Sequence, residues 1–189
     1  MTGVFVDGHG FELPNPALFE QFSAVIYTDG SCSSSDRTGG WAWCSVDCEG
    51  DIVEYSSGWT NNTTISRMEL VAAVQALHAH QLGKVVIFSD SQYTVNAIGT
   101  WAERWNQRGW LTSVGRSVEH RDLIEMGWRI LKRSGSEIRW VRGHRRTLGN
   151  IRADELAGRA RAKAVLEGLG DALVEADRPA CDVDTGGYL

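Results

Sequence analysis

The segment Ser23-Ala-Val-Ile-Tyr-Thr-Asp-Gly30 decides the fold predicted for this chain. Residues 24–28 are apolar or β-branched, which is typical of a buried strand, and the pair Asp29-Gly30 is typical of a turn that ends a strand. We therefore predict a strand over residues 23–28, with Asp29 at its carboxyl end.

Two more strands are predicted directly downstream. The stretch 31–38 is polar and rich in turn residues, residues 39–46 and 51–59 have the composition of strands, and Glu49-Gly50-Asp51 turns between them. Three consecutive strands joined by short turns predict an antiparallel meander.

Beyond residue 60 the pattern changes to an alternation of helices and strands. Helical spacing and short apolar runs predict the following elements: helix 67–82, strand 84–89, helix 92–98, helix 122–133, strand 136–141 and helix 150–166. Strands separated by helices imply parallel pairing. The predicted fold class is therefore α/β.

The composition fits one globular domain. The chain has 189 residues, of which 42% are hydrophobic, enough for a sizeable core. We assign the domain to residues 23–166, after a loosely structured leader (residues 1–22) and before an acidic, glycine-containing tail (residues 167–189) that we expect to be disordered. No apolar run reaches the length of about 18 residues that a membrane span needs, and Met1–Gly10 lacks a signal-peptide pattern. We expect a cytoplasmic protein with no membrane partner.

Charge and cysteine content narrow the function classes. A net charge of −5 argues against binding nucleic acid through bulk positive charge, so any such contact has to be local. The cysteines form no CxxC pair and have no histidine at zinc-finger spacing, and we interpret them as reduced thiols: Cys32, Cys44, Cys48 and Cys181.

Four acidic residues lie where predicted strands or helices begin or end: Asp29, Glu69, Asp90 and Asp154. Acids far apart in sequence that share this placement suggest one metal site. Taken alone, an acid in the first turn of a helix, such as Glu69, is more often a partner of the helix dipole or a capping residue.

Residues 100–120 interleave tryptophan with arginine: Trp101, Arg104, Trp105, Arg108, Trp110 and Arg116. Aromatic rings among guanidinium groups suit a groove that follows a nucleic-acid backbone. The alternative is that Trp101 and Trp105, four residues apart, form an ordinary helix-packing pair.

Six motifs occur in an order that resembles type 1 ribonuclease H, over about residues 23–165. They are Tyr27-Thr-Asp-Gly-Ser-Cys32, Arg67-Met-Glu-Leu70, Ser89-Asp-Ser-Gln-Tyr93, Trp101-x-x-x-Trp105-x-x-x-Gly109-Trp110, Gly143-His144 and Ala153-Asp-Glu-Leu-Ala157. Each motif alone is commonplace, whereas six in order are specific. The resemblance implies a ribonuclease H-like fold with a five-stranded mixed sheet, in the strand order 3-2-1-4-5, flanked by helices.

The resemblance also implies a function. It indicates a monomeric endonuclease that hydrolyses the RNA strand of an RNA–DNA hybrid duplex and leaves 5′-phosphate and 3′-hydroxyl ends. By position, the catalytic residues are Asp29, Glu69, Asp90, His144 and Asp154. The four acids would bind two Mg²⁺ ions, which Mn²⁺ could replace.

The chemistry explains the residue types. Mg²⁺ prefers oxygen ligands, and two such ions about 4 Å apart can activate a water and stabilise the leaving 3′-oxygen. We assign Asp29 to bridge both ions, Asp90 and Glu69 to the ion on the water side, and Asp154 to the other ion. His144 lies on a basic loop, titrates near neutrality, and could move protons or help release product.

Candidate substrate contacts follow from the same resemblance: Cys32, Ser35, Thr64, Ser66, Gln92, Trp101, Arg104, Trp105, Arg108, Trp110 and His120. The family usually reads RNA 2′-hydroxyls with Asn or Gln where this chain has Ser35, Ile65 and Ser66. Isoleucine cannot hydrogen-bond a 2′-hydroxyl, and serine reaches less far than asparagine. RNA recognition then rests more on backbone amides, on the two serines and on groove shape.

Two more departures concern phosphate binding. The family's DNA-phosphate pocket usually combines an Arg, a Thr and an Asn. At these three positions this chain has Asn62, Thr64 and His120, so only Thr64 matches. The lysines usual between the tryptophans are replaced by Asn106, Gln107 and Leu111. Fewer cations imply modest affinity and a shallow salt dependence.

Two other function classes stay open at this point. A non-catalytic nucleic-acid-binding module on the same fold usually loses one or more acids, and here all four are present. A DNA-directed nuclease is disfavoured by the tryptophan-rich segment, Gln92 and His144, but Ile65 leaves it open. Cleavage of hybrid compared with duplex DNA separates the three interpretations.

Overall fold

The computed structural model describes residues 4–143 and 146–167. Its strands and helices run in this order: β1 (Phe5–Val6), β2 (Glu12–Leu13), α1 (Ala17–Gln21), β3 (Ala24–Cys32), β4 (Gly39–Val46), β5 (Ile52–Thr60), α2 (Ile65–Ala79), β6 (Val85–Ser89), α3 (Gln92–Asn96), α4 (Ala102–Gln107), α5 (Arg121–Ser134), β7 (Glu137–Trp140) and α6 (Leu148–Glu167). A π-helical turn, Ala97–Trp101, joins α3 to α4.

Five strands form one mixed sheet in the spatial order β5-β4-β3-β6-β7. Numbered among these five strands only, this is the order 3-2-1-4-5. The meander β3-β4-β5 is antiparallel, whereas β6 pairs parallel with β3 and with β7. The α/β class and the predicted sheet order are therefore confirmed.

Strand β3 is longer than predicted. It continues through Asp29 and Gly30 to Cys32, because β4 supplies antiparallel partners as far as the Cys32–Gly39 pair. The parallel ladder with β6, however, ends at the Thr28–Ser89 pair. The prediction that the strand stops at Asp29 was therefore wrong, although Asp29 does lie where the parallel pairing stops.

The core lies in two clusters divided by the sheet. Successive side chains of a strand point to opposite faces, and accordingly Ile26 of β3 joins one cluster while Val25 and Tyr27 join the other. Helices α2 and α5 supply buried residues to the first cluster, and α6 covers the second with Ala153. The sheet is thus flanked by helices on both faces.

The leader carries more structure than its lack of periodicity predicted. Strands β1 and β2 form an antiparallel hairpin, and α1 follows it. Leu18 and Phe22 are buried in the cluster under α6. Moving these apolar side chains out of water stabilises the packing of the leader on the domain. Of the predicted disordered tail, residues 168–189 lie outside the described residues.

Residues 4–143 and 146–167 bear on the predicted absence of a membrane span and on the state of the cysteines. Within these ranges no helix combines the length and the apolar character that crossing a bilayer requires. Cys32, Cys44 and Cys48 are free thiols, as interpreted from the sequence, and Cys181 lies outside the described ranges.

Candidate active site

Strand register brings the first two acids together. Thr28 of β3 is paired with Ser89, the last residue of β6, and the next residue along the chain from each is an aspartate, Asp29 or Asp90. Because parallel neighbours in register project their side chains in the same way, the two carboxyl groups lie side by side. Asp29 is buried, with 5% of its surface exposed, and Asp90 is half-buried.

Gly30 allows the third acid to join them. A Cβ atom at this position would lie 2.5 Å from the backbone nitrogen of Glu69 and 2.8 Å from the carbonyl carbon of Met68. The part of α2 at Met68 and Glu69 can therefore rest directly on β3 only because residue 30 has no side chain. Glu69 lies in the second turn and not, as predicted, in the first, because the helix begins at Ile65. The helix start itself is fixed by Thr64, whose hydroxyl accepts a hydrogen bond of 3.3 Å from the Arg67 amide.

These three acids form a compact cluster. One carboxylate oxygen from each of Asp29, Glu69 and Asp90 lies within 4.8 Å of the other two. Glu69 is 7% exposed, and its Oε2 atom is buried without a hydrogen-bond partner. A buried polar atom without a partner is costly, so this oxygen is a candidate ligand for a cation.

Burial and the close packing of the acids raise the pKa values of two of them, Asp29 and Glu69. Burial, followed by the charges of Asp90 and Asp154, raises the pKa of Asp29 to about 8. Burial, followed by the charges of Asp29 and Asp90, raises the pKa of Glu69 to about 9. Both shifts disfavour the ionised form. In the protein alone the site therefore holds protons that a metal ion would have to displace.

Helix α6 contributes two further groups to this site. Asn150 is 2% exposed, and its amide nitrogen donates a 3.2 Å hydrogen bond to Oδ2 of Asp90. Asp154 lies one turn further along, is exposed, and raises the pKa of Asp29 through its charge and a carboxyl–carboxyl hydrogen bond. The four predicted acids are thus brought together, three in the compact cluster and Asp154 at its edge.

Sequence reasoning missed Asn150. The signal that could have found it is its spacing, because residues four apart in a helix share a face and Asp154 had already been selected. The glycine Gly149 beside it packs against the ring of Tyr27, two residues before Asp29, which seats the start of α6 on β3.

The predicted loop histidine, His144, lies outside the described residues. Its neighbour Gly143 is described, and a Cβ atom there would lie 2.5 Å from Oδ2 of Asp90. The chain therefore passes directly beside the acidic cluster immediately before His144.

A cleft of about 460 Å³ opens over the acids. It is lined by Ile65, Ser66, Glu69, Asp90, Ser91 and Gly143. Ser66, a predicted substrate contact, therefore shares a cavity with two of the acids, and so does Ile65. Ser91 caps α3 by accepting a 3.3 Å hydrogen bond from the Thr94 amide.

The other predicted contacts border this region to different degrees. Ser35 is exposed in the loop after β3, where its hydroxyl lies 3.0 Å from that of Ser33, and Cys32 is half-buried at the end of β3. Gln92 is exposed in the first turn of α3. His120 precedes α5 in the left-handed conformation (φ 56°), and its side chain is 12% exposed.

The three tryptophans of the basic segment have different environments. Trp101 is 36% exposed and lies 5.6 Å from the Trp105 ring, centroid to centroid. Trp105 is partly buried against the core, and Trp110 is only 4% exposed beside Trp128. Burial of Trp110 argues against a direct substrate contact for this ring. Arg104 and Arg108 are exposed as predicted.

A mixed sheet in this order, with an acidic cluster where its two central parallel strands stop pairing, defines the ribonuclease H-like class of proteins. The chain belongs to the ribonuclease H family, whose family model matches residues 21–162, and it is a ribonuclease H enzyme.

Curated relatives agree with this assignment. Ribonuclease H of Nitratidesulfovibrio vulgaris is 40% identical over 151 residues, which cover 79% of this chain and 94% of the relative. Ribonuclease H of Rhodopseudomonas palustris is 37% identical over 139 residues, covering 73% of this chain and 88% of the relative.

Solved structures share the fold. A type 1 ribonuclease H with the type 2 active-site motif superposes with a TM-score of 0.64 at 26% identity, covering 82% of this chain and 77% of that chain. A foamy viral protease–reverse transcriptase solved in complex with RNA/DNA hybrid has a TM-score of 0.71 at 20% identity, covering 86% of this chain and 22% of that chain.

Proposed function

We propose that this chain is an endonuclease that hydrolyses the RNA strand of RNA–DNA hybrids with two bound metal ions, leaving 5′-phosphate and 3′-hydroxyl ends. The observation that carries the proposal is the compact cluster of Asp29, Glu69 and Asp90, of which Glu69 and Asp90 line a cleft. Acids held so close repel one another once they are ionised, so the ionised cluster needs a cation to neutralise it. Family membership and a neighbour solved with RNA/DNA hybrid support the substrate.

The residues present fit a hard divalent cation. The donor set is entirely oxygen, and among the described residues Oε2 of Glu69 has no hydrogen-bond partner. Mg²⁺ suits such a set, with Mn²⁺ as a substitute, and Asp29, Glu69, Asp90 and Asp154 would hold it. When bound, the ions supply an activated water and stabilise the charge of the leaving oxygen.

The chain's own groups prepare the site for this chemistry. Asp29 would hold metal together with each of the other acids, because it is the acid that interacts with all three of them. Asn150 orients Asp90 by donating a hydrogen bond to Oδ2 of its carboxylate. Asp154 would hold metal from the edge of the cluster, where its side chain is exposed. We further propose that His144 moves a proton or helps release product.

Substrate contacts are proposed from exposure and free hydrogen-bonding capacity. The Thr64 hydroxyl accepts from the Arg67 amide, which leaves its own O–H free to donate to a DNA phosphate. His120 lies near it in the fold, with Nδ1 3.5 Å from Nη1 of Arg67. We propose that the RNA strand is read by Ser35, Ser66, Gln92 and the backbone at Cys32.

A basic, aromatic surface is proposed for the DNA strand. Trp101 offers an exposed ring face for packing against the strand, and Arg104 and Arg108 are exposed cations on the adjoining helix. Trp105 supports the Trp101 ring from its partly buried position. The monomeric state and the cytoplasmic location stay predictions.

The test presents one labelled sequence as RNA–DNA hybrid, duplex RNA, duplex DNA and single-stranded RNA. Each is incubated with Mg²⁺, with Mn²⁺ and with a chelator, and Asp29→Asn and Asp90→Asn serve as controls for contaminating nuclease. We expect metal-dependent cutting confined to the RNA strand of the hybrid. The 5′ ends should accept a kinase label only after phosphatase treatment, and the 3′ ends should prime a polymerase.

Two results would contradict the proposal. Cutting of duplex DNA, or of nothing, would mean that Ser35, Ile65 and Ser66 have changed the substrate. If the two aspartate variants cut hybrid as fast as the unaltered chain and melt at the same temperature, the two acids are not catalytic. Ile65→Asn adds a hydrogen-bonding amide at the cleft wall, so it is expected to increase the preference for RNA over DNA.

A further inference from the structure

The leader makes a direct contact with the start of α6. The backbone amide of Glu12 donates to the carbonyl of Arg146 at 2.6 Å, and the Thr147 hydroxyl donates to Oε2 of Glu12 at 3.2 Å. Glu12 and Thr147 also form a parallel β-bridge. Strand β2 therefore has β1 on one side and the residues that precede α6 on the other.

Thr147 occupies the position from which a side chain commonly caps a helix. Its carbonyl accepts the hydrogen bond of the Ile151 amide, so the helix begins there. The hydroxyl, however, is directed to Glu12. This places a carboxylate beside the amino-terminal end of α6, where the helix dipole favours negative charge.

Apolar contacts reinforce the same junction. The side chains of Leu13 and Leu148 both lie close to Gly50, where a Cβ atom would be 3.1 Å and 2.8 Å from them. Leu18 and Phe22 are buried in the cluster that contains Ala153, in the second turn of α6. The leader thus contacts α6 along its first two turns.

Those two turns supply the acidic cluster with two groups. Asn150 donates to Asp90, and Asp154 interacts with Asp29. A small rotation or shift at the start of α6 would move both groups together, because a helix transmits displacement along its axis as a rigid element.

We propose that Glu12 is a positioning residue of the acidic site: its hydrogen bond to Thr147 sets the start of α6 and so places Asn150 and Asp154 for metal binding. This inference rests on the proposed function, since it concerns the metal affinity of that site. Glu12 touches none of the reacting groups and acts only through α6.

The experiment measures Mn²⁺ binding to the full chain by isothermal titration calorimetry, without nucleic acid and well below the unfolding midpoint of every variant. Glu12→Ala and Thr147→Val each remove the hydrogen bond from one side. We expect each to weaken Mn²⁺ binding about threefold to tenfold, as expected for one lost hydrogen bond. The double variant should be no weaker than either single variant.

Two further variants make the test specific. Glu12→Gln keeps an oxygen acceptor for Thr147 and is expected to restore the affinity. Asn15→Ala removes a different leader hydrogen bond, 3.0 Å from the side-chain oxygen to the Ala17 amide, without touching α6, and should leave the affinity unchanged. In cleavage assays, Glu12→Ala should lower kcat at limiting Mn²⁺, recover it at high Mn²⁺, and leave the KM for hybrid unchanged.

Unchanged Mn²⁺ affinity in Glu12→Ala, even with a lower melting temperature, would overturn the inference and reduce Glu12 to a stabilising role. Equal losses in Glu12→Gln or Asn15→Ala would also overturn it, because the hydrogen bond would not be the cause. Failure of the unaltered chain to bind Mn²⁺ or to cut hybrid would instead refute the proposed function.

Discussion

Replacing Asp29 by asparagine removes a carboxyl group that is 5% exposed and whose pKa is raised to about 8 by burial and by the charges of Asp90 and Asp154. In the unfolded chain an aspartate titrates near about 3.9. A group with a raised folded-state pKa contributes stability that is fully present below the unfolded pKa and is lost as pH rises through the folded pKa. The metal-free protein should therefore lose stability between about pH 4 and about pH 8.

The magnitude follows from proton counting. In that window the folded protein retains about one proton more at Asp29 than the unfolded chain does. Each pH unit then lowers the free energy of unfolding by about 1.4 kcal/mol, or about 2.7 kcal/mol from pH 5 to pH 7. The asparagine side chain of the variant cannot titrate, and the substitution also removes one of the charges that raise the pKa of Glu69. The variant should show a slope shallower by about 1.4 kcal/mol per pH unit or slightly more.

The assay is guanidinium unfolding in a chelator at about pH 5, pH 6 and pH 7, with fluorescence detection. Asp29→Asn should match or exceed the stability of the unaltered chain at pH 7, while its hybrid cleavage is abolished and Mg²⁺ no longer raises its melting temperature. Parallel stability curves for the two proteins would refute the reasoning, since Asp29 would then be ionised in the folded protein without cost.

Three other predictions concern single features. Gly30→Ala places a Cβ atom against the backbone of Glu69. It should destabilise the fold by about 1–3 kcal/mol in chemical unfolding and weaken metal binding in calorimetry. A normal stability together with a normal metal affinity would contradict the close contact. Trp101→Ala should weaken hybrid binding about fivefold or more with little change in melting temperature. Trp110→Ala should instead lower the free energy of unfolding by about 3–5 kcal/mol. The reverse pattern would show that the buried ring, not the exposed one, faces the substrate. Asn106 and Gln107 precede Arg108 where lysines are usual, so few cations face the nucleic acid. The slope of log affinity against log salt concentration, measured by fluorescence anisotropy with labelled hybrid, should therefore be about −2 to −4. A much steeper slope would reveal cations that the exposed arginines do not account for.

Local sequence pattern was sufficient for most of the fold. Strand β4 occupies the predicted range, Gly39–Val46, and α5 differs from its prediction by one residue at each end. These segments could be predicted because periodicity and turn residues agree within each of them. Strand β3 was misjudged at its end because Gly30, Ser31 and Cys32 have the composition of a turn, and only pairing with β4 makes them a strand.

Burial could not be inferred in the same way. Trp101, Trp105 and Trp110 look equivalent in sequence, yet they lie in three different local structures. Trp101 ends the π-helical turn and is 36% exposed, Trp105 lies in α4, and Trp110 follows α4 in the left-handed conformation and is 4% exposed. Asn150 was missed for a related reason, since its role depends on where α6 begins. That start depends on contacts with the leader and with Tyr27, which are distant in sequence.

The acidic residues of the site could be selected from sequence, but the glycines that bring them together could not. Gly30 lies against the backbone of Glu69, and Gly143 lies against the carboxylate of Asp90. Neither glycine has a positive φ, so backbone conformation does not require them. They are required by space: a methyl group at residue 30 would overlap the backbone at Glu69, and one at residue 143 would overlap Oδ2 of Asp90. Within the described residues, the geometry of this site is therefore determined by absent side chains as much as by the acids, and substitutions at Gly30 and Gly143 should impair metal binding before they impair folding cooperativity.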